Sequence, residues 1–270
     1  MNLNPDAIPT FLLSTVFFLA GFFVAGRVVS KVGRTGLFIS ATLLAVPGLL
    51  FVGYYTHVFD RAIWFYSFRA LPHTELAASS LGFLAGILQR WFRPETLGEK
   101  LISPATLAIL LFIPFIKSAL DPVEYNKLNR TCDGEVCLQS TPSTCGPTSA
   151  ATLLKEFGQN ASEEELARES FTYRGGTEIW YVARAFRRRR LTADFLIQAR
   201  ERISPPAPAI AGVVLPGGAG HFIAILSESA DAVTVGDPLR GKLVIPRNEL
   251  ASAYHFTGFF LVIRPRRPTG

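Results

Sequence analysis

The chain has 270 residues, a length that suits about two domains. Hydrophobic residues make up 49% of the chain and concentrate in the first 120 residues. The formal net charge is +6, but residues 121–270 hold 18 Lys or Arg against 16 Asp or Glu. Because this half is nearly balanced in charge and has no stacking motif among its aromatic residues, the sequence does not predict nucleic-acid binding.

Four apolar stretches predict an all-α transmembrane region of about four helices over residues 1–120. Residues 8–26 and 36–56 contain no charge, and each has about the 20 residues that a bilayer requires. Residues 101–119 are predicted as the last span. Residues 76–92 are the shortest stretch, and a helix lying on the membrane surface is the alternative for them.

The positions of Lys and Arg predict how this region is oriented. Of the nine in the first 120 residues, three follow the first span, and three more, Arg90, Arg93 and Lys100, lie at or just after the end of the third. Positive residues favour the cytoplasmic side, so four spans place residues 121–270 outside the cytoplasm of a bacterial inner or plasma membrane. With three spans that domain is cytoplasmic. The first stretch has no positive residue before it, so we expect a retained span rather than a signal peptide.

Cys132 and Cys137 are separated by four residues that include an Asp-Gly turn. This spacing predicts a short-loop disulfide, a bond that persists outside the cytoplasm, and two ordinary thiols are the alternative. Two cysteines without nearby histidines cannot complete a metal site, so we predict no metal and no cofactor.

Cys145 begins the run Cys145-Gly146-Pro147, which opens an Ala- and Leu-rich helix that Gly158 is expected to end. The positive end of the helix dipole favours a thiolate over a thiol, and the thiolate is the nucleophile. Cys145 is therefore a candidate nucleophile. A buried structural cysteine is the alternative.

His221 is the one histidine of four whose setting suits a general base. It follows a glycine-rich loop, 215–220, and begins a predicted buried strand, 221–227. Asp237 lies 16 residues further on, at the end of the next strand, where it can orient the imidazole. A core histidine and an Asp-Pro turn are the alternatives.

Residues 136–263 resemble the bacteriocin-processing, double-glycine-leader cysteine peptidases, a papain-like family often found at the N-terminus of peptide-exporting ABC transporters. The resemblance is carried, in chain order, by Gln139, Cys145-Gly146-Pro147, Gly220-His221-Phe222, Asp237-Pro238 and the closing strand 256–263. It implies Cys145 as nucleophile, His221 as general base and then acid, and Asp237 as orienting acid. It also implies that Gln139 donates its side-chain amide to the oxyanion, beside the backbone N–H of Cys145.

The predicted fold of residues 121–270 is an α+β papain-like cysteine peptidase domain, a helical layer against an antiparallel sheet. We expect helices over 145–157, 162–169 and 177–189. Strands are predicted at 192–197, 209–214, 221–227, 232–236, 242–245 and 257–264.

Together these features predict a membrane-anchored cysteine endopeptidase that hydrolyses a peptide or protein substrate through an acyl-enzyme, with leader-peptide processing as one candidate reaction. The chain contains no complete ATP-binding Gly-x-x-x-x-Gly-Lys-Ser/Thr motif, so we expect that it is not itself the exporter. The alternative is a peptide-binding module with this fold that serves a separate exporter. An acyl transferase with the same triad also remains open.

Overall fold

A computed structural model describes residues 7–28, 33–55, 58–92, 96–199 and 203–266. The chain divides into two compact units. The first comprises the chain up to Ala62 together with Pro72–Ala119, and the second comprises Ile63–Leu71 together with the chain from Leu120 onward. The domain boundary at residue 120 stays a prediction, and Ile63–Leu71, which lies before it, packs as part of the second unit.

Five α-helices lie in the first 120 residues, within the described ranges. They are α1 (Ala7–Val28), α2 (Arg34–Tyr55), α3 (Ile63–Arg69), α4 (Leu81–Phe92) and α5 (Leu97–Leu120), and a 3₁₀ helix covers Thr74–Ser80. Helix α3 belongs to the second unit.

No helix in the described part of the chain is both long enough and apolar enough to cross a membrane. The predicted spans over 8–26, 36–56, 76–92 and 101–119 thus gain no support. The stretch 76–92 is divided between the 3₁₀ helix and α4, which has 12 residues. A helix of that length reaches only about 18 Å, against roughly 30 Å for the core of a bilayer.

Helices α1 and α4 pack with their backbones in direct contact. A Cβ added at Gly82 would lie 2.1 Å from the carbonyl oxygen of Phe18, and one added at Gly86 would lie 2.4 Å from that of Phe22. Both pairs are spaced by four residues, so each helix presents one face to the other. Glycine is required at both positions because any side chain would push the helices apart.

The second unit joins helices to an antiparallel sheet. After α3 its helices are α6 (Cys145–Glu156), α7 (Glu163–Glu169), α8 (Ile179–Arg188) and the short α9 (Leu250–Ala253). The strands are β1 (Leu191–Ile197), β2 (Ala209–Val214), β3 (Gly220–Glu228), β4 (Ala232–Asp237), β5 (Gly241–Pro246) and β6 (His255–Pro265). Their order in the sheet is β1-β6-β2-β3-β4-β5, with antiparallel neighbours throughout. The predicted α+β papain-like fold is confirmed.

Helix α6 packs against the sheet with its small side chains. Ala150 and Ala151 are fully buried, and the Ser149 hydroxyl donates to the carbonyl oxygen of Phe222 in β3, 3.1 Å away. The chain leaves the helix at Gly158, whose φ of +67° is the left-handed conformation that favours glycine. This packing holds the first turn of α6 against the beginning of β3.

Candidate active site

Cys145 is the first residue of α6, preceded by Thr144 at the N-cap. Its side chain is buried, with 8% of the residue exposed. It is also a free thiol, because Cys132 and Cys137 are joined to each other. The unpaired N–H groups of the first helical turn and the helix dipole both favour negative charge on its sulfur.

His221 is the second residue of β3 and pairs across the sheet with Val213 of β2. Strands β3 and β4 pair Ala224 with Gly236. Extending that register places Asp237 diagonally across from His221 on the same face of the sheet. The side chains meet there: the distance from His221 Nε2 to Asp237 Oδ1 is 3.1 Å.

The His221 side chain also interacts with Cys145. Since Nε2 faces Asp237, Nδ1 is the ring nitrogen left for the thiol. Burial opposes the charged imidazolium, but the interactions with Asp237 and Cys145 outweigh burial and raise the pKa of His221 to about 9. The structure thus brings the three predicted catalytic residues together in the order Cys145, His221, Asp237.

Asp237 is fully buried at the end of β4. Its Oδ1 also accepts a hydrogen bond from the backbone N–H of Leu239 at 2.9 Å, and its Oδ2 accepts one from the Tyr254 hydroxyl at 2.6 Å. Burial alone would raise the pKa of this carboxyl, but the hydrogen bonds from His221, Tyr254 and Leu239 lower it. Asp237 thus begins a turn, the alternative given for it from the sequence, and its carboxylate also faces the imidazole.

Gln139 lies next to the turn that follows Asp237. Its backbone N–H donates to the carbonyl oxygen of Pro238 at 2.9 Å. Its side-chain Nε2 donates to the carbonyl oxygen of Thr141 at 2.7 Å, while Oε1 is buried without a hydrogen-bond partner among the described residues. The amide nitrogen carries a second hydrogen, so its role as an oxyanion donor stays a prediction.

Glu163 holds Ser140, the residue that follows Gln139, and no sequence motif indicated this role. This buried carboxylate accepts from the Ser140 N–H at 2.8 Å, from the Ser140 hydroxyl at 2.6 Å and from the Asn129 N–H at 3.0 Å. Its position at the start of α7 suggests only a favourable charge at a helix N-terminus. Its partners lie 23 and 34 residues away and become neighbours only in the folded chain.

Cys132 and Cys137 form a disulfide, with their Cα atoms 5.0 Å apart. The bridged loop is attached to α6 at two points. The Lys155 ammonium donates to the carbonyl oxygens of Cys132 and Gly134, and the Cys137 N–H donates to the Thr152 hydroxyl. The segment that leads to Gln139 is thereby held on the helix that carries Cys145.

Tyr254 is the second contributor that no sequence motif indicated. It lies between α9 and β6, is 4% exposed, and reaches Asp237 across 17 residues of sequence. Across the described ranges, no three His, Cys, Asp or Glu side chains converge in a way that would hold a metal ion.

Comparison with known proteins gives matches to about half of the chain. Residues 134–267 match the model of the Peptidase C39 family. Uncharacterized proteins of Methanothermobacter marburgensis and Methanothermobacter thermautotrophicus are each 30% identical over 131 residues, which cover 48% of this chain and 89% of each relative.

Solved structures also match about half of the chain. A double glycine motif protease from an AMS/PCAT transporter, crystallised with the leader peptide, is 23% identical with a TM-score of 0.41, covering 48% of this chain and 90% of that one. The peptidase domain of Streptococcus ComA, a bi-functional ABC transporter, is 18% identical with a TM-score of 0.42, covering 51% and 99%.

Proposed function

Since the chain belongs to the peptidase C39 family and is a cysteine peptidase, we propose that Cys145, His221 and Asp237 are its catalytic triad. The observation that carries this proposal is the convergence of the three side chains: His221 Nε2 lies 3.1 Å from Oδ1 of the buried Asp237, and the imidazole interacts with both Asp237 and Cys145. A nucleophile, a base within bonding distance and an orienting acid are the parts that covalent peptide hydrolysis requires.

The reaction begins when the Cys145 sulfur attacks the carbonyl carbon of the scissile peptide bond. The imidazolium of His221 then protonates the leaving amine, and the carbon–nitrogen bond breaks to leave a thioester. In the second half, His221 takes a proton from water, and the resulting hydroxide releases the acid product from Cys145. Asp237 stays ionised throughout and holds the imidazole with Nδ1 toward the sulfur.

The tetrahedral intermediate carries a negative oxygen that needs donors. The backbone N–H of Cys145 lies at the beginning of α6, where it has no acceptor within the helix. The second donor that we propose is the free hydrogen on Gln139 Nε2. The disulfide loop and Glu163 hold the segment that carries Gln139 in place.

We propose a peptide substrate with small residues before the cleaved bond, as a leader peptide of the processing type would supply. The support is the burial of the two reacting residues, with Cys145 8% and His221 5% exposed. A bulky side chain next to the scissile bond would have to displace protein atoms to reach the sulfur, whereas glycine lets the substrate backbone approach closely.

We also propose that the first unit contacts lipid and that the peptidase unit lies outside the cytoplasm. Large apolar side chains are exposed on α1 and α2, including Val16, Phe23, Phe38 and Leu43, each more than half exposed. Contiguous exposed apolar surface is typical of membrane or protein contact. The Cys132–Cys137 bond is of a kind that is rare in the cytoplasm.

The test is peptide cleavage with detection of the acyl-enzyme. Full-length protein is mixed with a set of synthetic peptides that carry Gly-Gly, Gly-Ala or Leu-Leu before one bond. We expect cleavage after the small pairs, and a thioester on Cys145 that mass spectrometry detects after an acid quench. Cys145→Ala should abolish both signals. Binding of peptides without any cleavage would favour a peptide-binding module, and transfer of the acyl group to an added amine would favour an acyl transferase.

A further inference from the structure

The carboxylate of Asp237 is held at both of its oxygens. Oδ1 receives the imidazole of His221 at 3.1 Å and the N–H of Leu239 at 2.9 Å. Oδ2 faces away from the imidazole and receives the hydroxyl of Tyr254 at 2.6 Å, while the exposed Arg240 guanidinium stays 3.8 Å away. Tyr254 is thus the close, buried donor at the oxygen that His221 does not use.

Tyr254 is itself fixed by its surroundings. Its ring meets the ring of Phe256 edge-on at 6.1 Å, and the Arg240 guanidinium lies over its face at 5.7 Å. Its backbone N–H donates to the carbonyl oxygen of Leu250, which ties it to α9. The hydroxyl therefore occupies a defined point in the core, and the carboxylate must orient to meet it.

We propose that Tyr254 is a positioning residue of the active site, which acts through Asp237 by locking the plane of its carboxylate and keeping it ionised. This inference rests on the proposed triad. A carboxylate bonded at one oxygen alone can rotate about its Cβ–Cγ bond, whereas bonds at both oxygens define one orientation. Held in that orientation, Oδ1 points at Nε2 of His221.

The charges around the carboxylate explain why the tyrosine serves as a permanent donor. Burial and then the neighbouring carboxylate raise the pKa of the Tyr254 hydroxyl, so it keeps its proton at every pH of interest. A donor to the charged form of an acid favours ionisation. The other titratable or charged groups that face Asp237 are His221 from β3 and Arg240 from the following turn, with Cys145 acting through His221.

The experiment compares Tyr254→Phe with a matched control. The control, Tyr125→Phe, removes a different tyrosine hydroxyl, which is half-buried and donates to the carbonyl oxygen of Thr172 at 2.9 Å. In full-length protein labelled with 13C at aspartate, we expect Tyr254→Phe to raise the pKa of Asp237 and to lower kcat about tenfold at unchanged KM, since a hydrogen bond to a charged group is lost. The acid side of the rate profile should move to higher pH. Tyr125→Phe should leave the Asp237 titration and kcat unchanged.

The outcomes separate the alternatives. In an Asp237→Asn background, Tyr254→Phe should cost nothing further, because the tyrosine acts only through the carboxylate. A fall in kcat without any change in the Asp237 titration would mean a merely structural role and would overturn the proposal. If Tyr254→Phe does not fold, 3-fluorotyrosine at position 254, a stronger donor of similar size, should lower the pKa of Asp237, and no change would overturn it as well. The titration needs no substrate, so it remains decisive even where the wild-type protein cleaves nothing.

Discussion

His221 is a buried imidazole that stays charged over most of the physiological pH range. Its pKa of about 9 lies above its ordinary value because the effect of burial, which lowers the pKa, is outweighed by the interactions with Asp237 and Cys145. The imidazolium is the general acid that protonates the leaving amine. We therefore expect kcat/KM for peptide cleavage to hold up to about pH 9 and to fall above it, and stopped-flow assays from pH 6 to 10.5 measure this directly. A decline that begins near pH 6.5 would show that the imidazole is unperturbed.

The same pKa has a consequence for stability. Folding raises the pKa of His221, so the protonated imidazole contributes fully to stability at pH values below its pKa in the unfolded chain, near 6.5. This contribution is lost as the pH rises through about 9, the pKa in the folded protein. In urea titrations, the difference in unfolding free energy between wild type and His221→Gln should shrink between pH 6.5 and 9.5. A difference that stays constant over this range would contradict the ion pair.

We predict that Gln139 donates a hydrogen bond to the oxyanion. Removal of one oxyanion donor lowers kcat by about 10²–10³-fold. We expect Gln139→Ala to lose turnover to that extent with an unchanged unfolding temperature. Gln159→Ala is the matched control, because the Gln159 amide also donates to a backbone carbonyl, that of Arg189. Near-wild-type turnover of Gln139→Ala would remove Gln139 from the site.

At the scale of elements, α3 is held on the second unit by arginines from α8. Arg184 donates twice to the carbonyl oxygen of Arg69, and Arg187 donates to that of Ala70, so both satisfy orphan carbonyls at the end of α3. Arg69 is itself buried, with its guanidinium 5.0 Å from the centre of the Trp180 ring. Arg184 and Arg187 of α8 therefore have structural partners in α3 and at its end.

We expect Arg184→Ala to lower the free energy of unfolding by about 1–3 kcal/mol, the usual cost of removing a charged donor from buried acceptors. Denaturant titration measures this loss. The control is Arg264→Ala, because the Arg264 guanidinium is 63% exposed and 3.8 Å from Asp194. Such a surface pair contributes between zero and about 1 kcal/mol. Equal effects of the two substitutions would mean that α3 is not held through these bonds.

The helices and strands that the sequence predicted correctly are those whose ends are marked by nearby residues. Helix α6 begins at Cys145 and the chain leaves it at Gly158, and β3 and β4 lie within one residue of their predicted bounds, because caps, glycines and apolar runs act over a few residues. The assignment of α3 to the second unit and the contact of Tyr254 with Asp237 were not predicted. Both depend on tertiary packing, and Arg69 meets Tyr181 across 112 residues of sequence.

At the scale of the whole molecule, the disulfide provides a direct test of the proposed compartment. The chain has three cysteines, and Cys132 and Cys137 are bonded in the structure. If the peptidase unit lies outside the cytoplasm, protein alkylated at the moment of cell lysis and then denatured should carry one label per chain, on Cys145. Mass spectrometry counts the labels. Three labels per chain would contradict the extracytoplasmic location.

The convergence of Cys145, His221 and Asp237 is tested most directly by the rate at which iodoacetamide alkylates Cys145 as a function of pH. In the wild-type protein the neighbouring imidazolium should keep the sulfur reactive, so the rate should stay nearly constant from pH 8 down to pH 6. In His221→Ala the rate should fall as the pH decreases over this range, because the sulfur has lost the neighbouring cation. Identical pH dependence in the two proteins would contradict the account.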